Sequence, residues 1–116
     1  MQPVGIHHVS INVANAEESV QFYTDILGLT ERADRPDFGF PGAWLDLAGQ
    51  QVHLLEIAVP ESKGQHFAIQ VQDLDAAVSE IRSKGVQISD PSAVGTARQS
   101  FLTDPSGNLV ELNQPG

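Results

Sequence analysis

Four histidines stand at positions 7, 8, 53 and 66 of a 116-residue chain that has no cysteine. Sliding the sequence on itself by 58 residues pairs His8 with His66 and His53 with Glu111. Three imidazoles and a carboxylate therefore fall on two pairs of matching positions. That donor set suits a borderline divalent ion such as Zn, Ni, Fe or Mn. The absence of thiols excludes disulfides, thiolate metal sites, iron–sulfur clusters and cysteine nucleophiles.

The same offset makes eight positions identical, including Ile11/Ile69, Val13/Val71, Val52/Val110 and Leu54/Leu112. Unrelated sequence of average composition would give about four. The matches gather in two blocks, so the chain reads as a tandem repeat. Each half opens with an alternating strand, around His8–Val13 and His66–Val71. A helix follows each, capped by Asn15 and Asp73 and stopped by Gly28 and Gly85. Three further strands are expected in each half. These are Leu29–Ala33, Ala43–Leu47 and Gln51–Ala58, then Val86–Ser89, Gln99–Thr103 and Asn108–Asn113. The loops Asp34–Gly42 and Asp90–Ala97 are candidates for lining a pocket. The expected fold is α+β, a single domain over residues 1–116. Its two βαβββ modules, about 1–58 and 59–116, would form a curved, barrel-like mixed sheet with the helices outside.

Strand alternation assigns the faces. Val9, Ile11 and Val13 must cover the helix, so His8, Ser10 and Asn12 point away from it, while His7 shares the helix side. His66 points away from the second helix. His53 lies opposite Val52 and Leu54, and Glu111 opposite Val110 and Leu112. Were the two sheets to curl toward one concave surface, His8, His53, His66 and Glu111 would converge there.

The chain carries 15 acidic and 6 basic residues, a net charge of -9. Such a surface repels phosphate backbones and anionic lipid, which argues against nucleic-acid and membrane partners and leaves a small molecule as the expected one. No apolar run reaches the roughly 18 residues of a membrane span. The first residues lack the pattern of a secretory leader, and the lack of cysteine fits a cytoplasmic protein. Phe38, Phe40 and Trp44 could stack against a ligand. They motivate a second reading, a metal-free binding protein whose net charge would attract a cationic ligand.

The segments His7–Val13, Glu18–Tyr23, Leu27-Gly28-Leu29, Gln51–Glu56 and Asp104–Leu112 resemble the vicinal oxygen chelate superfamily. This family includes glyoxalase I, bleomycin-resistance and fosfomycin-resistance proteins and extradiol dioxygenases. The resemblance implies metal ligands at His8, His53, His66 and Glu111. Many glyoxalases carry glutamate or glutamine at the place of His53. Without it, His8, His66 and Glu111 are a two-histidine, one-carboxylate triad. Proton-transfer chemistry of the lyase or isomerase type follows, with Glu111 as the catalytic base. Glu56 is a weaker candidate, since parity turns it away from His53. The resemblance also implies a homodimer with sites at or near the subunit interface. Alternatives within the family are a bleomycin-resistance-like binding protein and a fosfomycin-resistance-like thiol transferase.

Overall fold

The computed structural model describes all 116 residues, which divide into two compact units, Met1–Pro60 and Glu61–Gly116. In unit one the order is β1 (His8–Asn12), α1 (Ala16–Gln21), β2 (Thr30–Glu31), β3 (Gly42–Leu47) and β4 (Gln50–Leu55). The sheet order is β1-β4-β3-β2, with β1 parallel to β4 and the other pairs antiparallel. Unit two repeats this with β5 (His66–Gln70), α2 (Leu74–Ser83), β6 (Ser92–Val94), β7 (Ala97–Thr103) and β8 (Leu109–Gln114), in the order β5-β8-β7-β6. The expected α+β class and the βαβββ order are present in both units.

Each sheet buries one face under its own helix. In unit one α1 packs on β3 and β4, and Phe22, Tyr23, Leu45, Val52 and Leu54 form the core. In unit two Leu74, Val78 and Ile81 of α2 are buried with Leu102, Val110 and Leu112 of β7 and β8. Each such side chain contributes about 1.5–3 kcal/mol when fully removed from water. That burial fixes which strand residues are left on the opposite face.

Both helix starts are capped twice. Asn15 Oδ1 accepts from Glu18 N–H at 2.8 Å, and Asp73 Oδ1 from Ala76 N–H at 3.0 Å. The second cap arrives from the far end of each unit. Glu56 Oε1 accepts from Ala16 N–H at 2.9 Å, and Gln114 Oε1 from Leu74 N–H at 2.7 Å. Glu56 thus satisfies a helix terminus, one of the open N–H groups that every helix start leaves.

Several expected elements differ. The first helix ends early, and Phe22–Ile26 forms a π-helical turn in which Leu27 N–H reaches Phe22 O at 3.3 Å. The strand expected at Leu29–Ala33 is only Thr30–Glu31. Val86–Ser89 is no strand; the second strand of unit two is Ser92–Val94 instead. It turns back onto β7 through Gly95 and Thr96, with Gly95 at φ +58°, a two-residue hairpin that glycine enables. Asp46 and Asp104, also identical at the 58-residue offset, do not occupy equivalent structural places. Asp46 lies in β3 opposite Gln51, whereas Asp104 lies in the longer turn before β8. There its carboxylate accepts from Ser106 N–H, Asn108 N–H and Asn108 Nδ2, each at 2.9 Å.

Candidate functional site

In unit one, β4 lies between β1 and β3 and places Ser10 and Trp44 opposite His53, and His8 opposite Gln51. Alternation puts all five on the face away from α1. Their rings form a ladder. His8 stacks on His53 at 4.0 Å between centroids and 13° between planes, and His53 on Trp44 at 4.5 Å and 12°. Phe38 follows at 6.2 Å from Trp44, with Phe40 6.1 Å beyond it. The three aromatics singled out by sequence therefore continue the wall that carries two of the candidate ligands. His7 Nδ1 lies 2.8 Å from His8 Nδ1, so the two neighbouring rings share a hydrogen bond.

His53 is only 8% exposed. Its Nε2 donates to Gln51 Oε1 at 2.8 Å, which leaves Nδ1 with its lone pair. Burial, then repulsion from His8 and His7, holds His53 below the ordinary imidazole range. The ring is accordingly neutral near pH 7, the form that binds a cation. A cavity of about 240 Å³ opens beside it, lined in part by Ser10, Arg35, Phe38, Phe40, Trp44 and His53.

In unit two, β8 plays the part of β4. Ala68 and Phe101 stand opposite Glu111, and His66 opposite Leu109. His66 Nδ1 donates to Gly64 O at 2.8 Å, and its Nε2 lies 3.0 Å from Glu111 Oε1. Glu111 is 8% exposed, and its Oε2 accepts from Asn113 Nδ2 at 2.9 Å. Phe101 meets the His66 ring edge-on at 5.3 Å. The Gly64 carbonyl, with Glu111 adding to it and burial opposing, raises His66 above the usual imidazole range. Both ring nitrogens face acceptors, so without a cation between them the pair is satisfied as imidazolium and carboxylate. An open groove of about 710 Å³ runs along residues 85–89 and reaches Phe101 and Leu109. It is the larger hollow, but neither His66 nor Glu111 lines it.

The donor chemistry fits a divalent ion. Two adjacent ligands about 2.1 Å from a six-coordinate metal stand about 3 Å apart, the separation of His66 Nε2 and Glu111 Oε1. The Nδ1–H···O=C bond to Gly64 is the outer-shell contact that orients a ligating imidazole. In unit one the rings lie nearly parallel, so their in-plane lone pairs run side by side, and one ring must turn for both to meet a single ion. Neither unit by itself gathers three histidine or acidic side chains in one ligand cluster.

Sequence reasoning gave no site role to Gln51, Asn113 or Arg35. Gln51 and Asn113 stand two residues from His53 and Glu111, on the same strand faces, so the period of two already placed them there. Arg35 carries no such signal, because it lies in a loop.

Residues 5–112 match the Glyoxalase/Bleomycin resistance protein/Dioxygenase superfamily, and the chain belongs to it. A Synechocystis sp. protein named "Probable lactoylglutathione lyase" is 31% identical over 92% of this chain and 92% of its own length. A glyoxalase family protein from Bacillus anthracis has the same fold, with a TM-score of 0.91 at 23% identity over 100% of this chain and 98% of its own. An antibiotic binding protein from Streptomyces sp. CB03234 shares it at a TM-score of 0.83 and 23% identity, over 100% and 99% of the two chains.

Proposed function

We propose that this chain is a glyoxalase-like metalloenzyme of the lyase or isomerase type, acting on a small molecule that presents two adjacent oxygens. The observation that carries the reading is the His66–Glu111 pair, held by Gly64 and Asn113 at the spacing of two metal ligands. The Synechocystis relative's lactoylglutathione lyase name supports it. His8, His53, His66 and Glu111 are the proposed ligands of one divalent ion, Zn, Ni, Fe or Mn. The chemistry a bound ion supplies is Lewis-acid polarisation of two adjacent substrate oxygens. Glu111 is the proposed base. Its Oε2 is held by Asn113; as base, Glu111 would be transiently released from the ion, and its Oε1 would then take the proton from the carbon beside the substrate oxygens and return it to the neighbouring carbon.

We assign one domain to the full 1–116 span, a cytoplasmic location, and a homodimer in which sites lie at or near the interface. A second reading has its own observation. The His8–His53–Trp44 ladder with Phe38 and Phe40 is a stacking wall suited to a metal-free binding protein, and the Streptomyces antibiotic binding protein shares this fold.

Metal analysis of protein purified without a histidine tag separates the two. The enzyme reading expects one equivalent of a divalent metal, lost in both His8→Ala and Glu111→Ala. No metal in the native chain, or content unchanged in both variants, favours the binding protein. A hemithioacetal isomerisation assay tests the lyase activity, and sedimentation equilibrium tests the dimer.

A further inference from the structure

The chain has six lysines and arginines among fifteen acidic residues. Arg32, Lys63, Arg82, Lys84 and Arg98 each hold a carboxylate within 3.9 Å. Arg35 alone has no carboxylate partner, although Glu17 and Glu31 border the neighbouring groove that it also lines. It is also the one cation that lines the cavity beside His53.

Its position is built. The guanidinium lies over Phe38 at 5.0 Å and Phe40 at 5.4 Å, and its Nη2 donates to Phe40 O at 3.0 Å. Gly42 makes the room, because a Cβ there would sit 2.8 Å from that nitrogen. Arg35 is half-buried, so it has lost part of its hydration and gained no counter-charge. Most of its five N–H donors remain unspent. In so acidic a protein, a fixed guanidinium without a partner is a vacant anion receptor. The planar fork matches a carboxylate in particular.

The rest of the cavity sets the shape of the ligand. His8 and Trp44 cover the two faces of His53, so the stacking surface left to a ligand is the outer face of Trp44 with Phe38, which is 51% exposed. The volume of about 240 Å³ falls below the roughly 300–1,000 Å³ of drug-sized pockets. A single ring fits inside it. Net charge alone favours a cationic ligand, but the one charge on the cavity wall that reaches a ligand is positive.

We propose that the cavity between Arg35 and Trp44 binds a small, flat carboxylate, its ring stacked on the aromatic wall and its carboxylate on the Arg35 guanidinium. This names the substrate class of the proposed enzyme and rests on that reading for the chemistry, though not for the binding.

Trp44 is the only tryptophan and reports on its own cavity. Benzoate, benzamide and cyclohexanecarboxylate are titrated against its fluorescence, on protein as purified and after EDTA. Benzoate is expected to bind at least about tenfold more tightly than benzamide and several-fold more tightly than cyclohexanecarboxylate, with or without EDTA. Arg35→Gln is expected to abolish the preference for acid over amide, and Arg35→Lys to keep part of it. Equal binding of acid and amide by the native chain overturns the proposal, as does a preference that survives in Arg35→Gln. Equal binding of benzoate and cyclohexanecarboxylate overturns the stacking. If the native chain holds no metal but the Arg35-dependent preference stands, the enzyme reading fails and this one does not. If the preference vanishes with EDTA, an ion is the anion receptor and the proposal falls.

Discussion

His53 and Glu111 hold equivalent places in their units, yet one is a neutral base in an aromatic stack and the other a carboxylate facing an imidazole. Alternation alone set both on the face away from the helix, which is why they were legible in the sequence. Their holders were legible in principle, as Gln51 and Asn113 obey the same period. Arg35 was not, because its value lies in what it lacks, a counter-ion, and that depends on the path of a loop. The other exposed arginine pairs are ordinary by contrast. Arg98 donates to both oxygens of Asp75, at 2.8 and 2.9 Å, and this holds the Asp75 carboxyl below the usual carboxylate range. A depressed folded-state value means that the pair adds stability above the unfolded-state value and loses it as pH falls through the folded one. NMR titration of Asp75 should show the low midpoint, and Arg98→Gln should return it to the ordinary range. Asp104 is different in kind. It is 4% exposed and accepts three hydrogen bonds inside one turn, so Asp104→Ala should cost about 1–3 kcal/mol in urea denaturation.

At the scale of elements, the strands that carry the site were read correctly in place because their hydrophobic alternation is strict. Errors fell where local signals compete. Val86–Ser89 has strand-like residues, but Gly95-Thr96 gives a tight turn that pairs Ser92–Val94 with β7 first. The π turn is likewise invisible to a 3.6-residue count, because Thr24 Oγ1 bonds back to Val20 O at 2.8 Å and the following bonds lengthen by one residue. The helix caps predict comparable costs in both units. Glu56→Ala and Gln114→Ala should each lower stability by about 0.5–2 kcal/mol, read as matched shifts in the urea midpoint. Gly42→Ala should cost about 1–3 kcal/mol by thermal melting, since its methyl would meet the Leu54 carbonyl as well as Arg35.

For the molecule as a whole, charge and repetition are the two governing facts. A net charge of -9 and a pI near 4.5 predict a solubility minimum close to pH 4.5, measured by turbidity between pH 4 and 8. Repetition gives each unit the same sheet order, so the site chemistry differs only where the side chains do: His53 against Glu111, Trp44 against Phe101. The doubled cap has a kinetic consequence. Ala16 and Leu74 N–H take their protein acceptors from forty residues downstream, so these two amides are capped only when the closing segment of each unit has arrived. During refolding, deuterium protection at those two amides should therefore rise in step with the parallel β1–β4 and β5–β8 ladders, not ahead of them.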